Sequence, residues 1–397
     1  MKNNNINFKG LIEKKEVFNL LGEMIKINSV NPLKDVSSTG EKELSFFISN
    51  YLNKIGIDNE LYPVKNNRFN VIGFIKGQKN GKNLVLEAHM DTVGVENMKI
   101  DPFLPTIKSG KIYGRGACDD KGSLASMILA IKILREKSFP LKGNLYLAAV
   151  IDEEYNQTGV NHLLNQGIEF DACIVGEPTN LDIITAHQGS LRWDIVTKGK
   201  SAHSSEPDKG ENAIYYMIEV INEVQKKIIP ILRQKNHPLV GSPVLSINII
   251  QGGNQSNIIP NKCSITLDRR MIPGENANEI LKEIDMLINK LKHKNTLLKI
   301  EREEPFIKSP PMQVDRNEKI VEVLFECISD NILVKPKIKG ARFGTDAAIF
   351  VDKGIPAVVF GPGNIEQAHS EDEWISVNQV ISAAEIIAET VIKYQSD

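Results

Sequence analysis

Between about residue 11 and residue 190 the chain alternates two hydrophobic periods. EKKEVFNLLGEMIKI and KELSFFISNYLNKIG repeat apolar residues every three to four positions and predict amphipathic helices, whereas FNVIGFI, KNLVLEAH, GNLYLAAVI and FDACIVGE are short apolar runs that predict buried strands. KGSLASMILAIKIL, after a glycine-rich turn, predicts a further helix. The alternation predicts α/β layering. From residue 191 the texture changes to a strand (LRWDIVTKG), a helix (ENAIYYMIEVINEVQKKI), strands at 243–251 and 262–271, a helix (ANEILKEIDMLINKL) and a strand (TLLKIERE). This β-α-β-β-α-β order is the ferredoxin-like unit and predicts a compact domain of its own. After the proline-bearing SPPMQVD, helix and strand alternate again through IPAVVFGPG to a final helix.

A chain of 397 residues exceeds the size at which a single core usually stops growing, so two domains are expected. Charge adds only exclusions. With 48 basic and 50 acidic residues the net charge is -2, and no basic run with interleaved aromatics offers a surface for nucleic acid. The opening MKNNNINFKG is polar and lacks the apolar segment of a secretory signal. The longest apolar runs, such as LYLAAVI at 145–151, fall short of a membrane span, so a cytoplasmic protein without membrane contact is expected. Cys118, Cys173, Cys263 and Cys327 are far apart and form no C-x-x-C pair, which predicts reduced thiols.

Candidate chemistry gathers where apolar strands give way to loops. His89 and Asp91 end LVLEAHMD, Asp119 and Asp120 lie about thirty positions on in GRGACDDKG, Glu153 and Glu154 follow YLAAVI, Glu177 ends IVGE, and His369 lies in GPGNIEQAHSEDEW. Two histidines with several carboxylates predict a hydrolytic metal centre; this donor set suits zinc, and one carboxylate shared between two ions would make a two-metal clamp. In extended geometry His89 and Asp91 point to the same side, so that carboxylate can hold the second ring nitrogen. Of Asp119 and Asp120, one can cap the following helix, an effect of about 0.5–2 kcal/mol, while the other ligates. Of Glu153 and Glu154, one can bind metal and the other take a proton from water. His203, in KGKSAHSSEP of the predicted insert, reads either as a surface-loop histidine or as a donor of a hydrogen bond to a developing oxyanion, and spacing does not choose between them. His162, His187, His237 and His293 fall in helical or loop surroundings without partnered acids and are read as structural.

If His369 shares a site with ligands that precede the insert, the first and last thirds form one domain: 1–190 and 305–397 make the catalytic domain, and 191–304 the inserted one.

HMDTV, GRGACDDKG, the glutamate pair, VGEP, GKSAHSSEPDKGENAI, NIIP, DRRMIPGE, GTDAA and FGPG followed by AHSEDEW together resemble the di-zinc peptidase and deacylase family. That family includes acetylornithine deacetylase, succinyl-diaminopimelate desuccinylase, aminoacylase and glutamate-releasing carboxypeptidases. The resemblance covers nearly the whole chain. It implies a zinc-peptidase-like α/β/α catalytic domain with an inserted ferredoxin-like α+β lid and dimerisation domain. It also implies two Zn2+, with Co2+ or Mn2+ as substitutes. Asp119 would bridge them, His89 and Glu177 completing one ion's ligands and Glu154 and His369 the other's. Glu153 is then the general base, Asp91 orients His89, and His203 is the oxyanion donor, supplied across a homodimer. Asn257 and Arg270 match contacts to a substrate carboxylate, for which a guanidinium fork is well shaped. The implied reaction is hydrolysis of the amide of an N-acyl amino acid. Alternatives are a dipeptidase or carboxypeptidase using the same centre on a short peptide, and a non-catalytic metal-binding relative. Family members often carry methionine where this chain has Asp120; an acid there also occurs in dipeptidase-like relatives, which leaves the substrate class open.

Overall fold

The computed structural model describes residues 8–33, 38–78, 81–331 and 336–396; Met1 to Asn7 of the polar opening lie outside them. The chain divides into two compact units. One takes in Met1–Thr185, Val314–Lys339 and Thr345–Asp397, the other Ala186–Gln313 and Gly340–Gly344.

The first unit is built on a mixed sheet whose strands run, neighbour to neighbour, Asp58–Lys65, Arg68–Ile75, Leu145–Val150, Leu84–His89, Ala172–Val175, Ala357–Val359 and the first part of Ile183–His187. Leu84–His89 is parallel to both neighbours and Ala357–Val359 is parallel to Ala172–Val175, while the marginal pairs are antiparallel. Every residue of LVLEAH is buried, as a central strand covered on both faces requires. The helix Val377–Ser396 packs against Lys14–Lys26, Lys121–Glu136 and Lys319–Asn331, and Lys121–Glu136 lies on Leu84–His89 and Leu145–Val150. That helix buries every residue from Lys121 to Ile131, the mark of a helix enclosed on all sides. Thr158–Leu164 and Ala347–Asp352 pack together elsewhere on the sheet.

The antiparallel Asp58–Lys65 strand is absent from the hydrophobic reading because its residues are only half-buried or exposed. Its turn is more telling. Asn66 and Asn67 have φ of 48° and 60°, the left-handed pair that a two-residue hairpin turn needs and that asparagine tolerates. A small sheet of Thr106–Lys108, Lys111–Tyr113 and Trp374–Ser376 also escapes sequence pattern.

In the second unit the sheet order is Val244–Gly252, Lys262–Met271, Gly189–Lys198, Lys299–Arg302, the order of a ferredoxin-like fold. Helices Ala213–Glu223 and Ala277–Lys294 bury Met217, Val220, Ile284 and Ile288 in one core with Trp193, Ile195, Ile265, Leu267 and Ile300. The unit runs past residue 304 because Ile307–Ser309 also pairs with the Gly189–Lys198 strand. The helix expected through ENAIYYMIEVINEVQKKI holds regular form to Glu223, then widens into a π turn over Val224–Ile228. Pro230 follows at once, and its missing N–H forbids the regular bond there. His187 differs from its sequence reading: it ends the strand Ile183–His187, fully buried, and burial pushes its pKa down to about 4. The chain thus has the α/β architecture with an added ferredoxin-like unit that the sequence predicts. Among the described residues no helix is long and apolar enough to cross a membrane.

Candidate metal centre

Four neighbouring parallel strands direct their carboxyl ends to one place, where open α/β sheets hold their ligands. His89 is the last residue of Leu84–His89, Glu153 and Glu154 follow Leu145–Val150, Glu177 follows Ala172–Val175, and His369 lies in the loop after Ala357–Val359. Asp119 arrives from the turn that opens the Lys121–Glu136 helix.

Asp119 is shared by two sets of potential ligands. His89, Asp119 and Glu177 offer atoms all within 4.8 Å of one another, and so do Asp119, Glu154 and His369. Oδ1 of Asp119 lies 2.9 Å from Nε2 of His89, and its Oδ2 lies 3.2 Å from Nε2 of His369. The same His369 nitrogen is 3.1 Å from Oε1 of Glu154. On the other side of the His89 ring, Nδ1 lies 2.9 Å from the main-chain oxygen of Asp91, while the nearest Asp91 carboxylate oxygen is 3.6 Å away. A carbonyl can only accept, so Nδ1 carries a proton, and Nε2 is the nitrogen left to address the ligand cluster. The tautomer expected from H-x-D is therefore set by the backbone of Asp91.

The Asp91 carboxylate has other work. Its Oδ1 accepts the main-chain N–H of Glu153 at 3.0 Å; its Oδ2 accepts that of Glu154 at 3.2 Å and Nδ2 of Asn31 at 2.9 Å. Asn31 also donates to Asp152 at 2.8 Å, and Arg68 reaches Asp152 at 3.4 Å while its fork is held by Glu41. Asp152 and His369 have φ of 66° and 58°, a left-handed backbone that residues with a Cβ rarely adopt and that concentrates at functional sites. Asn31, Glu41, Arg68 and Asp152 escape sequence reasoning. Asp152 alone leaves a trace, as the acid just before the glutamate pair.

Charge is crowded here. Burial raises Glu153 and Glu177 well above the ordinary carboxylate range, with neighbouring acids adding to it, and raises Glu154 against the pull of His369. Burial acts the same way on Asp119, but hydrogen bonds from His369 and His89 overcome it and hold its carboxyl well below the usual range. Burial opposes a charge on His89, yet Asp119 and Asp91 outweigh it and raise its pKa well above normal. Hydrogen bonds to Asp119 and Glu154 raise His369 to about 10. Buried carboxylates in this number, facing imidazole nitrogens, are the donor set and the negative field that a pair of divalent cations neutralises.

Asp120 belongs to neither ligand group: it is fully buried, burial pushes its pKa up to about 8, and Oδ2 stands where a Cβ on Gly176 would come within 2.9 Å. His203, Asn257 and Arg270 belong to the second unit. Nδ1 of His203 lies 2.7 Å from Oγ of Ser205, and the N–H of Ser204 donates to the oxygen of Asn257 at 2.9 Å, so the His203 and Asn257 loops are neighbours. Beside them a cavity of about 720 Å³ is lined by Gln251, Asn254, Gln255, Ile258 and Lys262. The fork of Arg270 is engaged: Nε and Nη2 lie 3.0 and 3.3 Å from the oxygens of Asp268, and Nη1 donates to Ser190 at 2.8 Å. Asp268 also holds Arg192 at 2.7 Å.

The model of peptidase family M20/M25/M40 matches residues 85–393. The chain is 30% identical over 380 residues to acetylornithine deacetylase of Buchnera aphidicola subsp. Schizaphis graminum (strain Sg), covering 93% of this chain and 95% of that one. It is 28% identical to the probable succinyl-diaminopimelate desuccinylase of Staphylococcus aureus (strain MSSA476), over 96% of this chain and 98% of the relative. The crystal structure of the aminopeptidase PepT of Bacillus cereus ATCC 10987 superimposes with a TM-score of 0.79 at 22% identity, over 98% of this chain and 100% of that one, a likeness of fold.

Proposed function

This chain belongs to peptidase family M20/M25/M40, hydrolases of amide bonds, and from that premise we propose that it removes the acyl group from an N-acyl amino acid at a two-zinc centre. The observation that carries the reading is the pair of Asp119 oxygens, each facing the Nε2 of a different histidine. His89 and Glu177 would hold one ion and Glu154 and His369 the other, with Asp119 common to both; Co2+ or Mn2+ would serve in place of Zn2+. Bound there, such ions polarise an amide carbonyl and render water acidic enough to lose a proton near neutral pH.

The protein's own groups do the rest. Water attacks the carbonyl carbon, Glu153 takes one of its protons, and that proton passes to the nitrogen as the C–N bond breaks; the second water proton, left on the new carboxylic acid, then goes to the amine, so the products are a carboxylate and an ammonium group. Burial of Glu153 favours that role, because it makes the carboxylate a stronger base than one in water. His203 donates to the oxyanion, and Asn257 and Arg270 address the substrate carboxylate. Since Asp268 already engages Arg270, that contact would use the donors left over or displace Asp268.

In domain terms, the unit of Met1–Thr185, Val314–Lys339 and Thr345–Asp397 would be the catalytic domain, and that of Ala186–Gln313 and Gly340–Gly344 the lid and dimerisation domain. A homodimer is supported by the edge strand Val244–Gly252, whose Ile249 and Ile250 are 51% and 57% exposed; such an apolar edge is ordinarily covered by another chain. The protein acts in the cytoplasm on a small amino-acid metabolite.

The test is amine release from N-acetyl-L-ornithine, N-succinyl-LL-diaminopimelate, other N-acyl amino acids and dipeptides, by metal-stripped protein with and without zinc. Zinc-dependent cleavage confined to acylated amino acids is the expected result. Preference for dipeptides would move the chain to the peptidase reading, and silence across the panel with zinc bound would leave a non-catalytic metal-binding protein.

A further inference from the structure

Glu373 is a carboxylate that the proposed chemistry does not use, and it is fully buried. Its Oε1 accepts the main-chain N–H groups of Cys118 at 2.8 Å and Asp119 at 3.0 Å. Its Oε2 accepts the N–H of Gly116 at 3.0 Å and Nη1 of Arg115 at 2.7 Å. Every one of these donors belongs to the single turn Arg115–Asp119, which carries the carboxylate shared by both ligand groups. The main chain adds to the tie: the N–H of Gly114 donates to the oxygen of Glu373 at 3.0 Å, and Trp374 pairs with Tyr113 across adjacent strands.

The location of Glu373 in the chain gives this its consequence. It lies four residues beyond His369, so one side chain fastens the segment that bears His369 to the turn that bears Asp119. A turn of successive amides has no strand ladder to hold it, and a buried anion taking up its N–H groups supplies that order with charge-assisted bonds.

The geometry points to Glu373 as a positioning residue of the metal centre: it holds the Asp119 turn against the His369 segment so that both cation positions form together. It touches no ligand side chain and acts through the main chain of Asp119. This rests on the two-cation reading given above.

Substitution Glu373→Gln preserves shape but removes the charge and sets an amide NH2 against donors. The probe is Zn2+ alone, titrated into metal-stripped protein, with affinity and stoichiometry read by calorimetry and thermal unfolding followed on the metal-free proteins. Wild type is expected to take up two Zn2+. In E373Q, whose ligands are all intact, both positions should weaken about 10–100-fold, the range for residues that support metal ligands. Weakening of both in parallel is the signature, because Asp119 serves both. A variant that melts lower yet binds two Zn2+ with wild-type affinity would overturn the assignment, since a purely structural role moves only the melting. Glu373→Asp, which keeps the charge on a shorter arm, is read the same way if E373Q does not fold; its wild-type affinity at both positions would likewise overturn the proposal, and weakened affinity would support it. Failure of wild type itself to bind Zn2+ would overturn the two-cation reading and this proposal with it, an outcome distinct from a change confined to the variants.

Discussion

Oδ1 of Asp91 accepts the main-chain N–H of Glu153 at 3.0 Å, tying the strand end that carries His89 to the root of the proposed general base. With Glu154 held by the other oxygen of the same carboxylate, Asp91 sets the placement of a ligand and a base at once. Asp91→Ala should therefore lower zinc affinity by about 10–100-fold and also lower kcat in the fully zinc-loaded protein. Zinc titration alongside kcat at saturating zinc would show it; a loss cured entirely by excess zinc would limit Asp91 to the ligands.

Glu153→Ala should retain two zinc ions, because Glu153 is in neither ligand group, and lose about 100- to 10,000-fold in kcat. Metal content and steady-state kinetics on the preferred amide check both halves. An unchanged kcat would remove Glu153 from the base role.

Metal and stability are linked through the same groups. His369 has its pKa raised from 6.5 to about 10, so in the metal-free protein the folded state holds a proton there that the unfolded chain releases. Stability from this source is full below pH 6.5 and is lost as pH rises toward 10. The melting temperature of metal-stripped protein should fall across that window. Zinc binding requires neutral imidazole, so zinc should stabilise more as pH rises, with about 2.7 kcal/mol at a free concentration of 100 Kd. Melting curves at several pH values with and without zinc measure it; a metal-free curve flat across the window would refute the charge on His369.

Lys121 is fully buried, and its Nζ donates to the main-chain oxygens of Met24 at 3.0 Å and Ile27 at 2.9 Å, at the end of the Lys14–Lys26 helix. Burial pushes its pKa down to about 7. Lys121→Met keeps the apolar stem but takes the amine from both oxygens, leaving that of Met24 the N–H of Ile27 and that of Ile27 half-buried, at a cost of about 1–3 kcal/mol. Urea unfolding should record that loss, and unaltered stability would mean that water replaces the amine.

Two inactive variants test the assembly. Mixing His203→Ala with Glu153→Ala should restore part of the activity if His203 acts across a homodimer, while demonstrated subunit exchange without recovery would count against it. Ile250→Lys, placing charge on the exposed edge strand, should shift the protein toward monomer by light scattering.

Local pattern made much of this protein legible. The strand LVLEAH, the helix after GRGACDDKG and the β-α-β-β-α-β order follow from the periods of apolar residues, because burial on one or both faces is a property of consecutive residues. The same pattern places His89, Asp119, Glu153, Glu154, Glu177 and His369 at strand ends and loops, where side chains are free for chemistry. Pattern could not say which oxygen faces which imidazole, that the backbone of Asp91 and not its carboxylate sets the His89 tautomer, that Asp120 is buried against Gly176 outside both ligand groups, or that Arg270 is already paired. Nor could it find Asn31, Arg68 or Glu373. Glu373 meets the N–H of Asp119 across 254 positions of chain, and Asn31 meets Asp91 across 60. The sequence by itself determined the elements and the kinds of donor at their ends; only the tertiary structure decided how those donors are aimed and held, because a hydrogen bond depends on distance and direction in space, and separation along the chain constrains neither.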